Sequence, residues 1–255
     1  MPTALITGAT SGIGAEFATQ LAARGDDLVI VARDEARLSE TAERLRATYG
    51  VDVEVLPADL ADRDRTTLVA ERLASVDRPI DLLVNNAGFG MHKRLLDPDV
   101  LPELDHALEV MLRAVFQLGG AAGRAMRLRG SGAIVNVSST AMFVSLGSYS
   151  AIKSAVTAYS ESLAVELAGS GVTVTALCPG WVRTEFHERA GIGTSKIPGA
   201  AWIDAPDLVR GAIRDTDRGK LVSVPTAKWK VAIAVARVAP RSMIKFVSSK
   251  IKSGR

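Results

Sequence analysis

Short apolar runs alternate along the chain with longer segments in which apolar residues recur at helical spacing. The short runs have the length of buried strands, and they cover residues 3–7, 28–32, 52–56, 81–84, 133–137, 172–177 and 221–224. The longer segments predict helices over residues 15–24, 34–49, 61–76, 98–128, 151–167 and 207–216. The longest of them contains Gly119 and Gly120, where we expect an interruption because glycine disfavours a helix interior.

This alternation predicts an α/β fold in which a doubly wound parallel sheet of about seven strands carries helices on both faces. No repeat or linker divides residues 1–225, so we expect a single domain there. Residues 185–205 lack periodicity and are rich in glycine, which is typical of a long loop that covers a substrate.

Composition narrows the class of protein further. Hydrophobic residues make up 47% of the 255 residues, which suits a large core and excludes a disordered chain. The single cysteine, Cys178, cannot form an internal disulfide, so a reducing compartment and a cytoplasmic location are expected. The first residues lack the basic and apolar regions of a signal peptide, and no apolar run approaches the roughly 18 residues of a membrane span.

Charge is unevenly distributed between the body and the end of the chain. Residues 226–255 carry eight Lys or Arg and no Asp or Glu, which leaves 23 basic and 28 acidic side chains in residues 1–225. The acidic body argues against nucleic-acid binding. Two interpretations of this basic amphipathic extension, residues 226–255, are open. It could bind an anionic membrane surface peripherally, or form a lid or subunit-interface helix with a solvated basic face.

Gly8, Gly12 and Gly14 directly follow the first predicted strand, in the sequence Gly-Ala-Thr-Ser-Gly-Ile-Gly. Glycines at a strand-to-helix turn let the backbone bend sharply and approach a ligand, and the helix N-terminus then offers N–H groups to a pyrophosphate. Because this turn opens a βα unit, the pattern indicates a dinucleotide site.

The next two predicted strands end in residues that suit the nucleoside half of a dinucleotide. The second strand ends at Ala32, where NAD-specific enzymes place an acid, and Arg33 follows with a guanidinium that could bind a 2′-phosphate. We therefore expect NADP(H) in preference to NAD(H), with a solvated surface arginine as the alternative. Asp59 and Leu60 follow the third strand, where Asp59 could contact adenine, cap the next helix, or do both.

Two serines, a tyrosine and a lysine surround the fifth predicted strand and the helix after it. Ser138 and Ser139 follow the strand, and Tyr149 and Lys153 are four residues apart, so a helix presents both on one face. An ammonium beside a phenol favours the phenolate, so we expect Lys153 to lower the pKa of Tyr149 toward neutrality. Such a tyrosine can exchange a proton at physiological pH while a serine hydroxyl polarises the same substrate oxygen.

Taken in order, these motifs resemble those of the short-chain dehydrogenase/reductase family. The resemblance covers residues 3–225 and rests on four motifs, namely Thr7-Gly8 to Gly14, Asn85-Asn86-Ala87-Gly88, Ser139 with Tyr149 and Lys153, and Pro179-Gly180 followed by Thr184. It implies a Rossmann-like fold and hydride transfer between a nicotinamide dinucleotide and a carbonyl or secondary alcohol.

The resemblance also implies roles for individual residues. Tyr149 would be the proton donor or acceptor, Lys153 would bind the nicotinamide ribose, and Ser139, in preference to Ser138, would bind the substrate oxygen. The cofactor phosphates would lie at Gly8, Ser11, Gly12, Ile13 and Gly14, adenosine at Asp59, Leu60, Asn86 and Gly88, and the carboxamide at Val182 and Thr184.

Two features depart from the family pattern. Met111 stands in the long helical segment where the family usually has an asparagine, and a thioether cannot replace an amide in a water-mediated proton relay. Tyr149 follows Ser139 by ten residues, a shorter interval than usual, which would trim the rim of the substrate pocket. Trp181 and Trp202 could line that pocket or serve packing alone.

The leading hypothesis is therefore an NADP(H)-dependent oxidoreductase that acts on a small-molecule carbonyl or alcohol, lipid-like compounds included. The resemblance implies a homodimer or homotetramer. The three histidines, His92, His106 and His187, lack metal-ligand spacing, so no metal is expected. The alternative hypothesis is a catalytically weak dinucleotide-binding sensor or partner-binding protein of the same fold, which Met111 keeps open.

Overall fold

A computed structural model describes residues 1–91, 93–184, 199–238 and 242–243. Its strands are β1 (Thr3–Thr7), β2 (Asp27–Ala32), β3 (Val53–Pro57), β4 (Leu82–Asn85), β5 (Gly132–Val137), β6 (Val172–Leu177), β7 (Trp181–Arg183), β8 (Trp202–Asp204) and β9 (Val222–Ser223). Its α-helices are α1 (Gly12–Arg24), α2 (Glu35–Tyr49), α3 (Arg63–Leu73), α4 (Leu101–Leu108), α5 (Ala114–Arg129), α6 (Ser148–Glu166), α7 (Ala205–Asp217) and α8 (Ala227–Val238).

Seven of these strands form one parallel sheet in the order β3-β2-β1-β4-β5-β6-β9. The predicted doubly wound α/β fold with about seven strands is thus confirmed. Strand β1 pairs with β2 on one side and with β4 on the other, so the connections leave it in opposite directions. At such a switch point the carboxyl ends of the strands open into a crevice where ligands bind.

The sheet is buried on both faces, which explains why its strands are continuously apolar. Alternate side chains of β2 point to opposite faces, so Leu28 and Ile30 join one core while Val29 joins the other. The first core packs against α1, α2 and α7, and Phe17 is fully buried in it. The second packs against α3, α5 and α6 and contains Leu83.

The long helical segment is interrupted at a different place from the one predicted. Helix α5 runs through Gly119 and Gly120, whereas a π-helical turn at Glu109–Arg113 separates it from α4. A Cβ at Gly119 would lie 2.6 Å from the Tyr159 hydroxyl, so glycine here allows α6 to approach α5 closely. The expected interruption was wrong because tertiary packing outweighs the helix propensity of glycine.

The last residues of the predicted loop and the first residues of the basic extension form regular elements of the fold. Residues 185–198 lie outside the described part, but β8 pairs in parallel with β7 and places Trp202 beside Trp181, so the end of the predicted irregular segment is a strand. Helix α8 starts the basic extension, and its Ile233 is buried. Within the described residues, no helix has the length and apolar composition that crossing a membrane requires.

Candidate active site

A cavity of about 830 Å³ opens at the carboxyl ends of the sheet strands. It is the crevice expected at the β1–β4 switch point, and it extends past the ends of β5 and β6. Every residue that the sequence analysis assigned to the cofactor or to catalysis lines it, with the single exception of Gly14. The fold therefore brings together residues that are up to 176 positions apart, from Gly8 to Thr184.

The glycine-rich turn forms one end of the cavity. Gly8 and Gly12 have φ values of +67° and +55°, a region that residues with a Cβ rarely adopt. Ser11 precedes α1 without capping it through its side chain. The first N–H groups of a helix have no partner within it, so those of α1 are available to a ligand that enters the cavity.

Gly14 has a structural role that differs from the expected phosphate contact. It does not line the cavity, and a Cβ at this position would lie 2.2 Å from the carbonyl oxygen of Gly8. Only glycine can therefore occupy this position while α1 packs against the turn. A contact between Gly14 and the cofactor phosphates stays a prediction.

The turn is braced by hydrogen bonds from the segment after β4. The Asn86 amide donates to the carbonyls of Thr7 at 2.9 Å and Gly8 at 3.3 Å. The Thr7 hydroxyl accepts from the backbone N–H groups of Asn86 at 2.9 Å and Ala87 at 3.0 Å. Asn86 also lines the cavity, but its side-chain amide is engaged in holding the turn.

Two arginines lie at the cavity edge beyond β2. Arg33 is exposed and forms no ion pair or hydrogen bond with the residues that the structure describes. Arg37, which the sequence analysis missed, also lines the cavity and donates to the carbonyl of Thr10 at 3.2 Å. Its place in the first turn of the helix that follows Arg33 was the signal that could have identified it.

Asp59 and Leu60 line the same edge, and the structure excludes one of the two roles considered for Asp59. Helix α3 is capped by Asp62, whose carboxylate accepts from the N–H of Asp64 at 2.9 Å. The Asp59 carboxylate instead accepts from Ala61 N–H at 2.9 Å in the turn before the helix. The alternative in which Asp59 caps the helix was therefore wrong, because the helix begins later than the sequence pattern suggested. A contact between Asp59 and adenine stays a prediction.

Tyr149, Ser139 and Lys153 meet in the middle of the cavity wall. The Tyr149 hydroxyl is hydrogen-bonded to the Ser139 hydroxyl. The Lys153 Nζ lies 5.7 Å from the centroid of the Tyr149 ring and donates to the carbonyl of Val137 at 2.8 Å. Tyr149 and Lys153 belong to the first turns of α6, and Ser139 follows β5. One helix and the end of one strand therefore position the three side chains.

The pKa of Tyr149 differs from the expected one. Part of its ring faces the cavity, but the surrounding protein desolvates the hydroxyl and raises its pKa to about 12, while the bond to Ser139 acts in the opposite direction. Burial likewise lowers the pKa of Lys153 to about 8. The expectation of a Tyr149 pKa near neutrality was wrong for this structure, because desolvation outweighs any effect of an amine that is bound to a backbone carbonyl.

The two adjacent serines have different environments. Ser138 is buried, donates to the carbonyl of Lys153 at 2.7 Å and accepts from the Thr157 hydroxyl at 2.8 Å. Ser139 accepts from the N–H of Ala141 at 3.1 Å and reaches Tyr149. Ser138 therefore holds α6 against β5, whereas Ser139 has its hydroxyl at the tyrosine.

Met111 lies in the π-helical turn and is fully buried, but it also contributes to the cavity wall. A Cβ at Gly88 would lie 3.2 Å from the Met111 sulfur, so the thioether is packed tightly against the segment after β4. The π-helical turn therefore sits where the family usually places an asparagine. A thioether cannot donate a hydrogen bond to a water there.

Several residues that no motif indicated also line the cavity. The ring centroids of Phe89 and His106 are 5.0 Å apart and stacked, and both residues line the cavity. Trp229 of α8 lines it as well. The Ser148 hydroxyl is buried and has no hydrogen-bond partner among the described residues, although Ser148 lies in the cavity wall.

Trp181 and Trp202 differ in their relation to the cavity. Trp181 lines it, whereas Trp202 meets Trp181 edge to face with ring centroids 6.1 Å apart. Within residues 1–91, 93–184, 199–238 and 242–243, no group of three or more His, Cys, Asp or Glu side chains is arranged to bind a metal ion. His92 and His187 lie outside those residues.

Sequence and fold are both similar to those of known proteins. A profile of the family described as short chain dehydrogenase matches residues 2–192. A probable oxidoreductase, EphD of Mycobacterium tuberculosis, is 34% identical over 93% of this chain, and the chain spans only 43% of the length of that relative.

Two solved structures are similar over nearly their whole length. A short-chain dehydrogenase from Sphingobium yanoikuyae in complex with NADPH has a TM-score of 0.84 and 36% identity, covering 93% of this chain and 94% of that chain. The bulky-bulky ketone specific alcohol dehydrogenase from Comamonas testosteroni has a TM-score of 0.80 and 34% identity, covering 93% and 92%.

Proposed function

Because the chain belongs to the short chain dehydrogenase family of oxidoreductases, we propose that it transfers a hydride between NADP(H) and a carbonyl compound or secondary alcohol. The observation that carries the proposal is the hydrogen bond between the Ser139 and Tyr149 hydroxyls beside Lys153, inside a cavity that begins at a glycine-rich turn. Within this proposal, Tyr149 is the proton donor in reduction and the proton acceptor in oxidation.

The residues present fit a nicotinamide dinucleotide. The glycine-rich turn offers the free N–H groups of α1 to a pyrophosphate, and its glycines leave the cavity unobstructed by side chains at that point. The exposed Arg33 guanidinium has no partner among the described residues, which suits a 2′-phosphate, and Arg37 lies in the first turn of the helix that follows. The cofactor would supply the hydride in reduction and accept it in oxidation.

The side chains have complementary tasks in the proposed reduction. The raised pKa of Tyr149 keeps the phenol protonated until the substrate oxygen, gaining negative charge, takes that proton. Ser139, which has one hydroxyl proton, can donate it to the substrate oxygen before the transfer or to the phenolate that remains after it. Lys153, whose pKa of about 8 leaves it mainly protonated at neutral pH, stabilises that phenolate electrostatically. In oxidation the phenolate takes the alcohol proton.

Two features support a carbonyl substrate with apolar substituents. Val144 and Leu146, which follow Ser139 closely in the chain, line the cavity together with Phe89 and Trp229. A protein of similar fold from Comamonas testosteroni is specific for bulky ketones. Lipid-like or aromatic ketones are therefore the proposed substrate class for this chain.

We further propose that two or four copies of the chain associate through α5 and α6. Phe116 is 43% exposed although its ring stacks on Tyr159 at 4.1 Å between centroids, and Val165 on α6 is 76% exposed. Covering these apolar side chains would remove them from water. Light scattering of the purified protein tests this association.

The adjacent serines provide a matched test of the proposed function. With a panel of aliphatic and aromatic ketones, the wild-type protein should oxidise NADPH, and the rate should be higher than with NADH. Ser139→Ala should lower kcat about 100-fold, within the usual range for a group that acts on the reacting oxygen. Ser138→Ala should mainly lower the free energy of unfolding, by about 1 kcal/mol. Equal kcat losses in both variants would contradict the assigned roles.

The buried Met111 supports a second candidate function. Without an amide at this point, the chain could bind NADPH as a sensor or partner-binding protein while turning substrate over slowly. Tight NADPH binding without turnover of any ketone or alcohol in the panel would favour this second function over the first.

A further inference from the structure

Trp229 reaches the cavity from a part of the chain that the family profile does not cover. The profile ends at residue 192, whereas Trp229 lies in α8 and lines the cavity. Its indole Nε1 donates to the carbonyl of Ala201 at 3.1 Å. The ring packs on the small cluster built around Cys178 and Ile233. The side chain is thus fixed on several sides and is not a mobile surface group.

Gly180 is shaped to admit this indole. A Cβ at Gly180 would lie 2.1 Å from Cε2 and 2.3 Å from Nε1 of Trp229. The φ of Gly180 is outside the left-handed region, so its backbone conformation is open to any residue. Within the described structure, close approach of the indole is therefore what requires glycine at this position.

The position of Trp229 along the cavity follows from its neighbours. Met142 and Phe143 pack on the same small cluster, and they belong to the 3₁₀ turn Thr140–Phe143 directly after Ser139. Trp229 therefore lies at the Ser139 end, and the glycine-rich turn lies at the other. Since the hydroxyls of Ser139 and Tyr149 would fix the substrate oxygen, the substituents of the substrate must extend toward this end.

Building on the proposed function, we propose that Trp229 determines how large a substituent of the carbonyl substrate the cavity accepts. An indole fills more volume than any other side chain and offers a flat apolar face to an aromatic or aliphatic group. Its truncation opens the cavity toward α8, which favours ligands with two bulky substituents over small ones. Helix α8 is then part of the active site. Of the two interpretations of the basic extension, this favours a lid over the substrate cavity for its first residues.

The test measures ligand binding without turnover, so that it does not depend on catalysis. In a Tyr149→Phe background with saturating NADPH, calorimetry gives the Kd of benzophenone, which has two bulky substituents, and of cyclohexanone, which is small. Adding Trp229→Ala should raise the preference for benzophenone over cyclohexanone at least tenfold, with the Kd of NADPH changed less than twofold. The same preference in parent and variant would overturn the proposal, as would failure of both ketones to bind either protein.

Two further variants separate the selectivity effect from loss of packing. Trp202→Leu removes a second half-buried indole that does not line the cavity, and it should leave the preference within twofold. If Trp229→Ala does not fold, Trp229→Leu retains apolar packing and should shift the preference in the same direction by at least threefold. A wild type that binds the ketones but never turns them over would contradict the proposed function and leave the inference on Trp229 intact.

Discussion

The two ends of the cavity are built from different parts of the protein. At one end the glycine-rich turn presents backbone to a ligand at Gly8 and Gly12, and hydrogen bonds between Asn86 and Thr7 hold that turn in shape. The Ser139 end includes side chains such as Leu146 and Trp229, which come from separate segments of the chain. Few sequences can form a binding surface from tightly turned backbone, whereas many combinations of side chains can form a pocket. One end therefore carries a motif and common chemistry, and the other is free to set substrate choice.

The largest combined effect on stability and cofactor binding is expected from one added carbon at Gly14, which packs behind the glycine-rich turn. In Gly14→Ala the Cβ meets the Gly8 carbonyl oxygen at 2.2 Å, and backbone cannot yield as a flexible side chain can. We expect a loss of about 3 kcal/mol in the free energy of unfolding and a loss of NADPH binding of 100-fold or more. Urea titration and fluorescence binding measure these changes.

Gly120→Ala is the matched control for that substitution. The nearest atom to its Cβ is the end of the Arg124 side chain at 3.3 Å, and Gly120 lies within helix α5. Alanine should therefore stabilise the protein slightly, by at most about 1 kcal/mol. Equal stability of the Gly14 and Gly120 variants would refute the claim that backbone contact fixes the glycine-rich end.

Lys153, in the middle of the cavity wall, should make the free energy of unfolding depend on pH. The pKa of Lys153 is lowered by burial from 10.5 to about 8, so the folded protein loses this proton before the unfolded chain does. Below about pH 8 both states are protonated, and between about pH 8 and pH 10.5 the unfolded state binds more protons. The free energy of unfolding should therefore rise with pH in this window, by at most about 3 kcal/mol. Urea unfolding across the window should show that rise in wild type and a smaller one in Lys153→Met.

The Arg33 side chain lies at the edge of the glycine-rich end, and its removal should affect the binding of the phosphorylated cofactor only. Removing one charge-assisted contact to a 2′-phosphate costs about 2 kcal/mol, so Arg33→Ala should weaken NADPH binding about 30-fold and leave NADH binding nearly unchanged. Titration of both cofactors gives the comparison. A parallel loss for NADH would mean that Arg33 shapes the edge of the cavity and does not select the phosphate.

The smallest effect concerns the contact between Gly180 and Trp229 at the side-chain-built end. Gly180→Ala should lower the free energy of unfolding by about 2 kcal/mol in wild type, because the new Cβ overlaps the indole. In a Trp229→Ala background the same change should cost less, giving a coupling of about 1 kcal/mol. Additive effects in this double-mutant cycle would show that the indole is not what Gly180 accommodates.

The same difference explains which parts of the molecule the sequence could predict. The sheet and the glycine-rich end were predictable, because periodic apolar runs and backbone turns depend on local sequence. Ser139, Tyr149 and Lys153 were predictable as a spacing, and the structure places them together. Their pKa values were not predictable, since desolvation depends on the whole surrounding fold.

Three features depended on packing that no local pattern contains. The π-helical turn at Glu109–Arg113 carries Met111, which packs against Gly88, and α5 passes uninterrupted through Gly119 in close contact with Tyr159. The contribution of Trp229 follows from a glycine 49 residues earlier in the chain, at position 180. Long-range contacts of this kind determine the Ser139 end of the cavity, and a single sequence does not show them.

The most direct test of the account compares two tyrosines of one helix. Tyr149 is hydrogen-bonded to Ser139 in the cavity, whereas Tyr159 donates to the carbonyl of Phe116 at 3.1 Å on the side of α6 that faces α5. Steady-state reduction of a ketone by NADPH should show kcat lowered about 1,000-fold or more in Tyr149→Phe, with NADPH affinity within twofold of wild type, and kcat nearly unchanged in Tyr159→Phe. Retention of wild-type kcat in Tyr149→Phe would contradict the proposal that this phenol moves the proton.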